Sequence, residues 1–161
     1  MKRAATQYRR RAIVGIQVMC IAYLALLGGC GGPEAGPEEQ VRQWLSAGQQ
    51  AAETKERGDL LDLISPSYVD SRGLDRDDIG DRLRVYFLRQ QSIKLLTSIE
   101  EIRLYGDSAA EVDLTVGMAG KNDSVFGFSA DAYRFQLELE RDGDDWLLIS
   151  ARWGELGEEL H

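Results

Sequence analysis

This 161-residue chain contains few side chains suited to acid–base catalysis. The sequence contains one histidine, and it is the last residue, His161. A histidine-based dyad or triad needs its imidazole inside the fold, within hydrogen-bond reach of its partners. The sequence also shows no glycine-rich phosphate loop, no paired metal-binding cysteines and no nucleophile elbow. We therefore assign no catalytic residue and expect no cofactor.

Three aspartates that lie close together are the strongest metal candidates. Asp142, Asp144 and Asp145 surround Gly143, but the stretch lacks the ligand spacing and the closing glutamate of a calcium loop. Asp-Gly is also a strong signal for a hairpin turn. We interpret the stretch as a turn and assign no metal ligand.

Cys30 stands at the end of an apolar segment and offers a different chemistry. Five Lys and Arg residues and no acidic residue precede it, residues 12–27 carry no formal charge, and Gly28 and Gly29 follow. This order is typical of a secretory signal peptide, whereas a spanning helix needs about 20 apolar residues. The sequence predicts export by the general or the twin-arginine route. The alternative for Cys30 is an ordinary thiol in a transmembrane segment.

The stretch Leu27-Gly28-Gly29-Cys30 resembles the lipobox of bacterial lipoproteins. The resemblance implies a signal peptide over residues 1–29, peptidase recognition through Leu27, Gly28 and Gly29, and lipid attachment at Cys30. Two or three acyl chains anchor a protein stably, because each buried methylene contributes about 0.8 kcal/mol. Gly31, where inner-membrane lipoproteins carry Asp, implies the outer membrane of a two-membrane bacterium, facing the periplasm.

The charge is divided sharply at the same cysteine. Five of the 19 Lys and Arg residues precede Cys30 and all 27 Asp and Glu residues follow it, so the formal charge changes from -8 for the chain to -13 beyond Cys30. An acidic surface repels phosphate backbones, which makes nucleic acid a poor partner. Residues 30–36, rich in Gly, Pro and Glu, predict a flexible tether between the acylated cysteine in the bilayer and a domain over residues 37–157.

Three helices are expected at the start of this domain. Helix one starts at Pro37 and carries one apolar face; its members are Val41, Trp44, Leu45, Gly48 and Ala52. Gly58 predicts a break and Asp59 a cap for a short second helix that ends before Pro66. Asp75 predicts the cap of a third helix whose face carries Ile79, Leu83, Tyr86, Phe87 and Gln90.

Beyond Gln91 the apolar period changes from 3.6 to two, which predicts four long antiparallel strands. In the first strand the apolar parity slips between Ile99 and Ile102, as a bulge in a strongly curved strand would produce. The sequence therefore predicts an α+β class: three N-terminal helices packed in a strongly curved, mainly antiparallel sheet.

This order, with "GDLLDLISPSYVD" after helix one and "DGDDWLLISARW" at the end, resembles the nuclear transport factor 2-like superfamily from Val41 to Trp153. The resemblance implies a cone, or cystatin-like roll, that encloses a pocket. Members include isomerases, dehydratases, epoxide hydrolases, polyketide cyclases and non-enzymatic binders, so fold alone does not decide function. We expect a ligand-binding or protein-interaction module; the alternative is a cofactor-free isomerase, dehydratase or hydrolase acting on an apolar substrate.

Enzymes of that superfamily place an Asp–His pair, or Asp and Arg together, on the pocket side. Without an internal histidine, this chain departs from the first pattern. The candidates for the second pattern are Asp70, Asp77, Glu101 and Arg103. Asp77 already has an explanation beside the cap of helix three.

Aromatic residues are the candidates for the pocket lining: Trp44, Tyr68, Tyr86, Phe126, Phe128, Tyr133 and Trp153. Aromatics at such periodic positions also fit an ordinary core. Phe126 and Phe128 flank Gly127 and could form an apolar mouth that admits a hydrophobic ligand or docks an envelope protein. The alternative is that both phenylalanines pack within their own strand.

Overall fold

The computed structural model describes residues 35–122 and 128–161, and Ala35–His161 forms one compact unit. In these ranges helices α1 (Pro37–Thr54), α2 (Arg57–Asp62) and α3 (Arg76–Arg89) precede strands β1 (Gln90–Tyr105), β2 (Ala109–Asn122), β3 (Phe128–Asp142) and β4 (Asp145–Glu155). The strands form an antiparallel sheet in the order β1-β2-β3-β4. None of these helices is long and apolar enough to cross a membrane. The predicted α+β class is confirmed.

Both long helices begin where the sequence predicts. Pro37 lies in the first turn of α1, where its missing N–H costs no hydrogen bond. Asp75 caps α3: its carboxylate accepts the Asp78 backbone N–H at 2.9 Å, and the Asp78 carboxylate accepts the Asp75 N–H at 3.3 Å. This reciprocal capping box fixes the start of α3.

The predicted start of the second helix is wrong. Helix α2 begins at Arg57, so Gly58 and Asp59 lie inside its first turn, and the N-cap is Glu56. The break lies earlier, at Lys55, which has a left-handed backbone with φ +62°. The Lys55 and Glu56 N–H groups then bond back to carbonyls of α1, which is the usual way to end a helix. The chain has therefore turned before it reaches Gly58.

A bulge in β1 keeps its apolar side chains on one face of the sheet. Ile99 pairs with Leu114 and Ile102 pairs with Val112, with a register shift between Ile99 and Glu101. The extra residue on β1 lets both isoleucines face the helices and bends the strand. The predicted bulge is confirmed at the predicted place.

The helices pack into the concave face of this bent sheet. The buried core joins α1 and the segment after α2 to strands β2, β3 and β4. Its fully buried side chains are Val41, Val112 and Leu139. Trp146 lies in the same core and donates its indole N–H to the Gln40 side chain at 3.1 Å, which ties β4 to the first turn of α1.

The outer edge of β4 is covered by other parts of the chain. Three backbone N–H groups of the segment after α2 donate to β4 carbonyls: Ser65 to Leu148, Val69 to Ile149 and Ser71 to Ala151. Further along, Trp153 and His161 exchange backbone hydrogen bonds of 3.1 and 3.3 Å. This edge is therefore protected from pairing with another strand.

Replacing Leu139 tests the packing of the core. Leu139 is 1% exposed, and we expect Leu139→Ala to lower the free energy of unfolding by about 2–5 kcal/mol, because it removes buried contacts and leaves a cavity. Leu96 is 79% exposed, so Leu96→Ala should change it by less than about 0.5 kcal/mol. Urea unfolding measures both. Equal losses in the two variants would contradict this packing.

Candidate functional site

An apolar cleft of about 380 Å³ lies between helices α1 and α3 and the adjoining parts of β1 and β2. This volume is near the lower end of the range for ligand pockets, roughly 300–1,000 Å³. Eight of its lining residues are apolar or aromatic: Ala52, Ile79, Leu83, Tyr86, Phe87, Ile93, Leu95 and Met118. The ninth is Arg82.

The walls of the cleft follow from two periodicities. On α3, Ile79, Leu83 and Tyr86 are separated by four and three residues, which places them on one helix face. On the sheet, Leu95 and Met118 are directly paired across β1 and β2, so their side chains lie on the same face. The concave face of the sheet and the apolar face of α3 thus meet at the cleft.

Polar groups also lie at or beside the cleft. Burial raises the pKa of the Tyr86 hydroxyl, and the nearby Asp131 and Tyr133 raise it further. Asp131 pairs with Met118 across β2 and β3, so its carboxylate lies on the face that lines the cleft. Tyr86 therefore stays neutral and can donate a hydrogen bond, while Arg82 adds a positive charge on the helix side.

A second aromatic group occupies the same face of the sheet nearer β4. The Tyr133 and Trp153 rings are 6.2 Å apart in an edge-on arrangement, and Phe135 stacks on Trp153 at 6.5 Å. The guanidinium of Arg72 lies 3.8 Å from the centre of the Trp153 ring, a cation–π contact. These residues form a packed cluster and do not line the cleft.

The predicted pocket aromatics thus occupy different places. Tyr86 lines the cleft, and Tyr133 and Trp153 belong to the adjacent cluster. Trp44 packs against the core, and its indole nitrogen has no hydrogen-bond partner in the described residues. Tyr68 is buried in the core, and burial, with the nearby Asp70 charge, raises its pKa to about 12.

The predicted apolar mouth falls mostly outside the described residues. Phe126 lies outside them altogether. Phe128 begins β3, where its backbone pairs with Lys121, but its side chain is not among those described. The mouth therefore stays a prediction.

Asp70, the first Asp/Arg candidate, organises a loop. One of its carboxylate oxygens accepts the backbone N–H groups of Arg72 and Leu74, both at 2.8 Å. The Asp70 N–H donates to the Leu74 carbonyl at 2.9 Å, and Gly73 turns the chain with φ +80°. The second carboxylate oxygen, Oδ2, is buried without a partner in the described residues. Asp70 is itself 4% exposed, and these contacts give it a structural role.

The other Asp/Arg candidates lie away from the cleft. Asp77 is exposed in the first turn of α3. Arg103 lies on the convex face of the sheet, where it donates to Glu101, to Glu111 at 2.7 Å and to Asp113 at 2.7 Å. These contacts raise the pKa of Arg103 and lower that of Glu111. The cleft therefore does not contain an Asp/Arg pair made from the four predicted residues.

The aspartates after β3 form a turn. Asp142 pairs with Asp145, and Gly143, with φ +63°, occupies the first central position between them, as a two-residue hairpin requires. Arg141 lies 3.8 Å from Asp144. Within residues 35–122 and 128–161, no group of three or more His, Cys, Asp or Glu side chains is arranged to hold a metal ion.

Sequence reasoning missed the polar residues of the cleft. Arg82 sits three residues after Ile79 and four before Tyr86, a helical spacing that could have placed it beside the apolar face. Asp131 could not be placed in this way, because its position depends on the register that pairs it with Met118.

Comparison with solved structures shows that the fold is the cone of the nuclear transport factor 2-like proteins. A candidate dehydratase of that family from Streptomyces avermitilis aligns over 74% of this chain and 96% of its own, with 15% identity and a TM-score of 0.64. A candidate scytalone dehydratase from Novosphingobium aromaticivorans aligns over 76% and 89%, with 10% identity and a TM-score of 0.65. At such identities the likeness shows the fold alone.

One of the similar structures belongs to a longer protein. The chain is similar to Bd1075 of Bdellovibrio bacteriovorus over 73% of its own length but only 41% of that protein, with 12% identity and a TM-score of 0.63. No family model matches the sequence. The comparison with curated proteins gives no significant match.

The Arg103 network generates a pH-dependent prediction. We expect Arg103→Gln to lower the melting temperature at pH 7, because Glu101, Glu111 and Asp113 then face each other without their shared cation. The pKa of Glu111 is lowered in the folded state, so its stabilising effect is present above its unfolded value of about 4.3 and is lost as pH falls through the folded value. The difference between variant and wild type should shrink below about pH 4.

Arg84→Gln is the matched control, because Arg84 is exposed and has no ion pair in the described part of the chain. Calorimetry from pH 7 to pH 3 measures all three proteins. A difference between Arg103→Gln and wild type that is the same at every pH would contradict the network's electrostatic role.

Proposed function

We propose that this protein is a lipid-anchored component of the bacterial envelope whose cone domain binds a small apolar ligand in the cleft at α3. One observation carries the proposal: an open cleft of about 380 Å³ that is lined by apolar side chains from four elements of the fold. Ligand sites are typically concave and apolar, with a few polar groups that orient the ligand. Arg82, and Tyr86 with its hydroxyl, supply such groups here.

The anchor part of the proposal is supported by the sequence before the domain. The lipobox at Leu27–Cys30, the cationic head and the short apolar run agree with one another. Acyl chains on Cys30 would hold the domain close to the membrane, since only residues 31–36 separate that cysteine from α1. An apolar ligand that partitions into the bilayer would then be concentrated near the cleft.

A small enzyme is the second candidate, and the polar groups at the cleft favour it. Asp131 and Tyr133 lie near enough to Tyr86 to raise its pKa, so a carboxylate and a second hydroxyl lie near the Tyr86 hydroxyl. Such groups could move a proton in an isomerase, dehydratase or hydrolase. Asp131 is exposed to solvent, whereas a general base is usually tuned by burial. Binding without chemistry therefore fits this arrangement better.

Filling the cleft tests ligand binding. We expect Leu83→Trp to reduce labelling of the full chain in lipid nanodiscs by a photoreactive decanol, because the indole occupies the cleft that Leu83 lines. Mass spectrometry of the labelled peptides measures this loss. Leu88→Trp is the matched control: it is on the same helix, but Leu88 is 78% exposed, so labelling should persist.

Thermal unfolding of both tryptophan variants accompanies the labelling, so that loss of the fold is distinguished from a filled cleft. Equal labelling of α3 and β1 peptides in folded Leu83→Trp and in wild type would contradict binding in the cleft.

Replacing each cysteine tests the anchor. Metabolic labelling with an alkyne analogue of palmitate should mark the wild type and Cys20→Ala, since Cys20 lies in the predicted signal peptide, but not Cys30→Ala. Intact mass measures the processed chain. A wild-type protein that is unlabelled and retains residues 1–29 would overturn the anchor and leave the cleft proposal standing.

A further inference from the structure

Arg82 is a positive charge on the wall of an otherwise apolar cleft. Its guanidinium makes no ion pair or hydrogen bond with the residues that the structure describes, although it lines the cleft with Ile79, Leu83 and Tyr86. Asp78, one turn earlier on α3, uses its carboxylate in the capping box with Asp75. Arg82 is exposed and also lines a neighbouring groove with Asp78 and Asp81, but neither carboxylate pairs with it in the described residues, so its charge is available to a ligand of the cleft.

The chemistry of arginine restricts what this charge would bind. The guanidinium is planar, carries its charge at every relevant pH and offers paired N–H donors that match a carboxylate. The apolar stem of Arg82 can line the wall while the charged end stays at the solvent boundary. The residues after Cys30 have a formal charge of -13, so an unpaired cation at the cleft stands out against its acidic surroundings.

We propose that the ligand of the cleft is a single-chain amphiphile with a terminal carboxylate, such as a medium-chain fatty acid. This inference rests on the proposed function, because it takes the cleft as the binding site and adds the chemistry of its ligand. The chain lies against Leu83, Phe87 and Met118, and the carboxylate pairs with Arg82. A cleft of about 380 Å³ suits one alkyl chain better than a two-chain lipid.

A negative charge on the sheet side of the cleft determines where the carboxylate of the ligand lies. Asp131 lies on the sheet side, near Tyr86, and its negative charge repels a second carboxylate. The head group is therefore directed to the α3 side, where Arg82 lies. The neutral Tyr86 hydroxyl can donate a further hydrogen bond.

The test compares two photoreactive probes of the same chain length, decanoate and decanol, on the full chain in nanodiscs of zwitterionic lipid. Competition by unlabelled decanoate or decanol gives the affinity of each, and mass spectrometry identifies labelled peptides from α3 and β1. We expect Arg82→Gln to weaken decanoate binding about tenfold, as the loss of one charge-assisted hydrogen bond implies, and to leave decanol unchanged. Arg84→Gln, on the same helix, should leave both unchanged.

Asp131→Asn is a second variant, for which we expect the opposite change in decanoate affinity. Removing this charge should strengthen decanoate binding and leave decanol binding unchanged, since only the anionic probe is repelled. In the wild type, each methylene added to the carboxylate should tighten binding about fourfold until the cleft is filled.

The outcomes separate the ligand class from the proposed function. If both probes label the wild type but Arg82→Gln and Asp131→Asn leave decanoate binding unchanged, the proposal of a carboxylate ligand is overturned. The proposal of apolar binding in the cleft then stands. Failure of both probes to label the wild type would overturn the carboxylate ligand and the proposed binding function alike. Labelling that appears only in Cys30→Ala would assign the cleft to the protein's own acyl chain and would also overturn the inference.

Discussion

The bulge in β1 between Ile99 and Glu101 is the constraint on which the domain depends. Side chains in a strand alternate faces, so without an extra residue Ile99 and Ile102 would lie on opposite faces of the sheet. With it, they pair with Leu114 and Val112 on one face, and the strand bends around the helices. This bend gives the sheet the concave face that holds α1 and α3.

The two faces of the sheet carry different groups of residues. The concave face carries the buried core toward β4 and the cleft toward the start of β1. The convex face carries the polar network in which Arg103 binds Glu101, Glu111 and Asp113. The core and the polar network thus lie apart from the cleft. A cleft left open in this way forgoes packing contacts.

The sequence predicted those features that local chemistry determines. Asp75 marks the cap of α3, the alternation of apolar residues marks the strands, and the slip after Ile99 marks the bulge. The predicted start of α2 was wrong because Lys55, rather than a glycine, adopts the left-handed conformation that ends α1. Periodicity showed that aromatic residues face inward, but not whether they fill a core or line a cleft, so Trp44 and Tyr86 could not be distinguished.

Residues that meet only through the sheet register were beyond prediction from the sequence. Asp131 lies beside the cleft because β2 and β3 align it with Met118, and Arg82 lines the cleft because α3 packs across the same face. Neither placement follows from local sequence, since a shift of one residue in the register would turn Asp131 to the convex face.

Native mass spectrometry of the protein isolated from the cells that make it tests most directly the proposal that the cleft holds an apolar ligand. The account predicts a non-covalent adduct on the folded wild type that organic extraction releases and that is absent from folded Leu83→Trp. An adduct of the same mass and abundance on both proteins, or none on the wild type, would contradict it.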